Sequence, residues 1–119
     1  MLSDIGPDQR VYLACGSTDM RKSIDGLAAL VQESFQLDPF SSCLFVFTNR
    51  GRDKIKILYW DHSGFWLLYR RLERGRFQWP ESAADKTIAV SRRELRWLLD
   101  GLSLTQKRAH PKVTARRVI

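Results

Sequence analysis

Short apolar runs alternate with polar punctuation along this chain, and the spacing of the apolar positions changes from one stretch to the next. Residues 10–15 (RVYLAC) form a first apolar run that stops at Gly16 and reads as a strand. Ser17, Thr18 and Asp19 then offer three successive N-caps. Behind them Ile24, Leu27, Ala28, Val31 and Phe35 follow the spacing of one helical face. Gly26 inside that stripe costs about 1 kcal/mol relative to alanine, which marks a close packing contact. Asp38-Pro39 closes the helix, because a proline drives the residue before it out of the helical region.

The middle of the chain has the period of strands. Residues 43–48 (CLFVFT) place β-branched and aromatic side chains on both faces, which suits a central strand. A polar turn at 49–53 (NRGRD) leads into 54–60 (KIKILYW), and a second turn at 61–64 (DHSG) leads into 65–72 (FWLLYRRL). After Glu73-Arg74-Gly75 comes a last run, 76–79 (RFQW), which Pro80 stops. Connections this short join antiparallel neighbours, so residues 43–79 are expected to form a β-meander. A looser stretch at 81–86 precedes the apolar residues 87–90. Ser91 and Glu94 then have the spacing of a capping box, Leu95, Leu98 and Leu99 give a second helix its stripe, and Gly101 ends it. The expected architecture is α+β: an antiparallel meander sheet of about five to six short strands with two helices packed on it. Residues 1–102 make one domain, and 103–119 a basic, flexible tail.

If the 61–64 turn closes a tight hairpin, Trp60 lies opposite Phe65, Leu58 opposite Leu67, Lys56 opposite Tyr69 and Lys54 opposite Arg71, all on one face. Ile55, Ile57, Tyr59, Trp66, Leu68 and Arg70 share the other. The first face is apolar near the turn and becomes basic and aromatic at its far end, close to Arg50 and Arg52. Cations there can neutralise phosphates and Tyr69 can stack on a base. Ordinary cross-strand packing and a solvated lysine face explain the same residues. Whether Arg76 and Gln78 extend the surface depends on the register beyond Arg74-Gly75.

Charge adds to this picture. The chain has 119 residues and a net charge of +7. Residues 1–102 carry 15 basic and 13 acidic side chains, whereas 103–119 carry Lys107, Arg108, Lys112, Arg116 and Arg117 with no acid. A nearly neutral body with a basic extension is an arrangement for polyanion contact, although such tails also serve solubility. The four Trp, three Tyr and six Phe supply a core for one domain. No apolar run approaches the roughly 20 residues of a membrane helix, and residues 1–8 lack the pattern of a secretory signal, so the expected location is the cytoplasm. Cys15 and Cys43 then read as buried free thiols, and with His62 and His110 scattered no metal site is expected.

Catalysis finds little support. Asp19, Asp53, Asp61 and Glu73 are the carboxylates that a two-metal nuclease could use, yet capping and turn chemistry account for each. Ser17, Ser63 and Ser91 lack a nucleophile setting, and no phosphate-binding loop is present. The chain is expected not to be an enzyme and to need no cofactor.

Three segments carry a resemblance: VYLACGSTDMRKSIDGLAALV at 11–31, DPF at 38–40, and LFVFTNRGRDKIKILYWDHSGFWLLYRRLERGRFQWP at 44–80. In this order and with these turns they resemble the accessory family, called TnpB or Orf2, of insertion sequence 66 elements. The resemblance implies a small protein encoded beside a separate, much larger transposase that holds the catalytic acids, and it supplies no catalytic residue here. The partners it implies are DNA, at element ends or without sequence preference, and the transposase. The nucleic-acid candidates are then Arg50, Arg52, Lys54, Lys56, Tyr69, Arg70, Arg71, Arg76 and the five tail cations; the first motif adds Asp19, Arg21 and Lys22 as functional candidates, although an N-cap and a surface cation also explain Asp19 and Arg21. Trp60 and Phe65, near the 61–64 turn, are candidates for a protein contact. A DNA-binding accessory, and an adaptor of the transposition complex that touches DNA weakly or not at all and without specificity, are the two competing functions.

Overall fold

The computed structural model describes residues 9–104. Its elements are β1 (Val11–Ala14), α1 (Ile24–Ala29, continued by a wider π turn over Leu30–Ser34), β2 (Leu44–Thr48), β3 (Lys54–Trp60), β4 (Phe65–Arg71), β5 (Thr87–Val90) and α2 (Arg92–Leu99). The α+β class holds, but the sheet is mixed. The strands lie in the order β4-β3-β2-β1-β5. β2, β3 and β4 form the expected meander, while β1 runs parallel to β2 (Val11↔Leu44, Leu13↔Val46) and β5 pairs antiparallel on its other side. A parallel pair needs a long crossover, and α1 with its flanking loops provides it.

Both faces of the sheet are covered. Leu27 and Val31 of the first helix pack on Ala14, Phe45, Phe47 and Leu58. On the other face Leu95 and Leu98 of α2 pack on Val11, Leu13, Leu44, Val46, Ile55 and Ile57. β2 lies between the two layers and is buried along its whole length, as its apolar run Leu44–Phe47 requires, and the buried Thr48 hydroxyl donates to Lys54 O at 2.9 Å. The capping box forms as expected: Ser91 Oγ accepts from the Glu94 N–H at 3.0 Å, and Glu94 Oε1 accepts from the Ser91 N–H at 2.9 Å. Gly101 follows with a left-handed φ of +86°.

Three expectations need correction. Residues 76–79 are not a strand. The Leu72 N–H bonds to Asp53 O and the Phe77 N–H to Arg52 O, at 2.8 and 2.7 Å, so the chain after β4 turns across the end of β3 and travels towards β1. Phe77 and Trp79 enter the α2-side core, and the Trp79 indole donates to Ala14 O at 3.0 Å. The first helix begins at Ile24, with Ser23 at its N-cap position, so none of Ser17, Thr18 or Asp19 caps it. Its π turn ends at Ser34, four residues before the expected stop at Asp38, and beyond it the Leu37 N–H reaches back to Val31 O and Gln36 takes a left-handed φ of +57°. Finally Leu104, assigned above to the tail, is buried against the α2 layer. Cys15 and Cys43 are both free and half-buried. Among the described residues no helix is long and apolar enough to cross a membrane.

Candidate nucleic-acid interface

The β3–β4 hairpin has the anticipated register, from Lys54↔Arg71 through Lys56↔Tyr69 to Trp60↔Phe65. The turn at its base, residues 49–53, is organised by Asn49. The Asn49 Oδ1 accepts from the Asp53 and Lys54 N–H groups at 3.1 and 3.0 Å, and its amide donates to Asp53 Oδ1 at 2.7 Å. That last bond holds the Asp53 carboxyl below its ordinary range. Arg52 completes the turn with a left-handed φ of +60°.

Cations crowd around this turn. Arg50, Arg52, Lys54 and Lys56 come from the turn and β3, Arg70 and Arg71 from the end of β4, and Arg74 and Arg76 from the segment that folds back on Asp53 and Arg52. The loop before α1 adds Arg21 and Lys22. Its Thr18 N–H bonds to Thr48 O at 2.7 Å, next to the turn, and Lys56 holds its last residues. Against these ten cations stand Asp19, Asp53, Glu73 and Glu81; the other described residues carry five cations and seven acids. Tyr69 projects from the middle of the group with 54% of its surface exposed.

Not all of the candidates are free to meet a ligand. Lys56 Nζ donates to the backbone carbonyls of Met20 and Lys22, each at 2.8 Å, and sits 5.8 Å from the centre of the Tyr69 ring. It is a tether for the loop. Arg70 points to the opposite face of the sheet and donates to Leu99 O at 3.2 Å, where the last carbonyls of α2 favour a cation. Arg71 pairs with Glu73 at 3.0 Å, Lys54 with Asp53 at 3.6 Å and Arg52 with Glu81 at 3.6 Å. Arg50, Arg74 and Arg76 are exposed and have no hydrogen bond or ion pair among the described residues. Arg74 was not among the sequence candidates, because a turn position gave it no assigned face. Lys107, Arg108, Lys112, Arg116 and Arg117 lie outside the described residues.

The carboxylates weighed for catalysis each have a local partner. Asp19 accepts from the Arg21 backbone N–H at 2.9 Å and takes its guanidinium in a two-pronged contact of 2.8 to 3.1 Å. This short turn replaces the helix cap expected for Asp19. The Arg21 bonds pull the Asp19 carboxyl down to about 2. Asp61 accepts from the Trp66 indole at 2.8 Å, which lowers its pKa as well. Among the described residues no three His, Cys, Asp or Glu side chains converge as a metal site would require. The contact at Asp19 makes a direct prediction. A depressed carboxyl pKa means that the ion pair contributes above the ordinary value near 3.8 and is lost as pH falls through about 2. An NMR titration of the Asp19 carboxyl carbon in an Arg21→Ala chain should show the midpoint raised towards the ordinary aspartate range, with the residue-21 N–H, which the substitution leaves in place, still holding it below that range.

At the other end of the hairpin, about 20 Å away along strands of this length, three aromatic rings meet. Phe40 packs edge-on against Trp60 with ring centres 4.9 Å apart and lies 5.3 Å from Phe65, while Trp60 and Phe65 are 5.0 Å apart. Trp60 and Phe65 are half-buried, and the exposed member is Phe40 at 54%. Sequence reasoning read Asp38-Pro39 as a helix stop and DPF as part of the family resemblance but gave Phe40 no role; a large aromatic directly after a loop proline was the signal that could have found it.

Residues 9–109 match the family described as "IS66 Orf2 like protein". Two proteins of Sinorhizobium fredii (strain NBRC 101917 / NGR234) are similar over nearly the whole chain. The uncharacterized protein y4hO is 41% identical over 111 residues, covering 93% of this chain and 92% of its own length. The uncharacterized protein y4jC is 34% identical over 109 residues, covering 90% of this chain and 92% of its own. No solved structure matches.

Proposed function

The chain belongs to the IS66 Orf2-like family, which points to an accessory role in transposition, and on that premise we propose that it is a non-catalytic DNA-binding accessory acting with the separate transposase at element ends in the cytoplasm. The observation that carries this reading is the excess of cations around the 49–53 turn and the exposed ring of Tyr69. Arginines without an internal partner keep their charge available for phosphates, and each phosphate they neutralise releases counterions. The tail cations Lys107, Arg108, Lys112, Arg116 and Arg117 enter the same reading as further phosphate ligands.

The test is fluorescence anisotropy of the full chain on element-end duplex and on a scrambled duplex, across a salt series. Changing Arg50, Arg74 and Arg76 together to alanine should weaken binding to both duplexes. It should also flatten the slope of log K against log salt by about 0.9 for each phosphate that is no longer neutralised. Unchanged affinity and slope in this triple variant would remove the sheet end from the reading and leave only the tail.

A second reading, an adaptor that meets the transposase through protein surfaces, is favoured by the Phe40–Trp60–Phe65 cluster. An exposed aromatic held on two others is the kind of anchor that dominates interfaces. Phe40→Ala should then abolish nuclease-resistant co-purification with the transposase and leave DNA affinity unchanged. If the variant still co-purifies after nuclease digestion, the aromatic cluster is not the docking point.

A further inference from the structure

β4 ends the sheet. Its inner edge pairs with β3 along all seven residues, and among the described residues no backbone group bonds to its outer edge. The other outermost strand, β5, has only four residues. A long unpaired strand edge is a template for another strand, and proteins that stay monomeric blunt it with a proline, a bulge or inward-pointing charge. β4 has no proline, its pairing with β3 has no break, and its only two charges, Arg70 and Arg71, are gathered at its last two positions. Trp66 and Tyr69 beside the edge are 45% and 54% exposed, and Leu67 and Leu68 are only half-buried.

We propose that the outer edge of β4 pairs antiparallel with the same edge of a second copy, joining two five-stranded sheets into one. The order of residues along the strand argues for this occupant. β4 reads apolar and aromatic at its start and basic at its end. In an antiparallel pair centred on Leu68, Trp66 of one copy faces Arg70 of the other, Phe65 faces Arg71, and Leu67 faces Tyr69. Each guanidinium meets an aromatic face rather than another cation, a favourable cation–π contact, and a two-fold axis forms every such pair twice. A parallel pair in register would set Arg70 on Arg70 and Arg71 on Arg71. On the α2 side, an open cleft lined by Ile55, Ile57, Leu68 and Leu99 together with Tyr69 and Arg70 adjoins the axis, so Leu68 of the second copy meets largely apolar surface. If the DNA reading of the basic end also holds, on which this consequence alone rests, the two basic ends point in opposite directions and the dimer can hold two duplexes.

The test uses the full chain without DNA, so it stands or falls apart from the DNA reading. Sedimentation velocity from about 1 to 300 µM populates the dimer for a Kd anywhere between about micromolar and about a hundred micromolar. The expected result is a reversible dimer whose formation raises hydrogen-exchange protection in β4 with concentration. Trp66→Arg and Trp66→Glu give matched variants at one exposed position, alike in removing the ring and opposite in charge facing Arg70. Trp66→Arg should weaken the dimer at least about tenfold relative to Trp66→Glu, which corresponds to about 1.4 kcal/mol. A chain that stays monomeric across this range overturns the proposal, as does equal dimerisation of the two variants. Full protection of the β4 edge in dilute monomer would overturn it too, since the edge would then be covered from within the chain.

Discussion

Replacing Trp79 by alanine lowers the stability of the fold by about 3–5 kcal/mol, the range for deleting a large buried aromatic. Trp79 is 7% exposed and packs with Phe77 in the α2-side core. It also donates a hydrogen bond to Ala14 O at the end of β1, in a buried setting. The alanine leaves a cavity and removes the indole hydrogen bond to the Ala14 carbonyl together. Trp79→Phe separates the two effects: most of the volume stays, the indole N–H goes, and the expected loss is about 0.5–1.5 kcal/mol for the one hydrogen bond. Urea unfolding at constant m-value measures both losses. Against a total stability of about 5–15 kcal/mol for an ordinary domain, the alanine variant is expected to sit near the edge of folding. A loss below about 1 kcal/mol in Trp79→Ala would mean that the 77–79 segment does not hold β1 to β3 as described.

The same segment shows what the sequence could and could not reveal. In RFQW the alternation is informative in one respect: Phe77 and Trp79 are buried, and Arg76 and Gln78 are exposed. Period two identifies which side chains point inward, but it does not say whether the backbone has a ladder partner. Here it has none, because the chain must pass from the β4 edge to the far side of β1 before β5 can form. The parallel placement of β1 was hidden for a related reason. An apolar run followed by a helix and a second apolar run is compatible with several strand orders, and pattern alone does not choose among them. The β3–β4 hairpin was legible down to its register, since a four-residue polar turn between two alternating runs leaves little freedom.

In the candidate interface the alternation placed Lys56 beside Tyr69, which is where it lies. It gave no sign that the loop at 20–22 would fold over that lysine. Hydrogen bonds between residues more than thirty positions apart depend on how α1 is seated, and local spacing carries no information about that. Lys56 therefore changes from an expected phosphate ligand to an internal tether, while Arg74 joins the exposed cations.

Lys56→Met tests that reassignment directly. Methionine keeps much of the apolar stem and removes the ammonium, so the Met20 and Lys22 carbonyls are left without a charged donor. Hydrogen bonds to charged groups contribute about 1.5–3 kcal/mol each when sheltered. The bond to Lys22 is exposed and water can replace it; the bond to Met20 is part-buried and is the one whose loss should be felt. The expected cost is therefore about 2 kcal/mol in total. Amide exchange over residues 18–23 should accelerate, because the loop is then held to the sheet only by the Thr18 to Thr48 bond and by the packing of Met20 on the core. DNA affinity should fall only as far as displacement of Arg21 and Lys22 requires, without the flattened salt slope expected for Arg50, Arg74 and Arg76. The opposite outcome, an unaltered stability with a flattened salt slope, would return Lys56 to the phosphate-binding surface and make its bonds to the loop incidental.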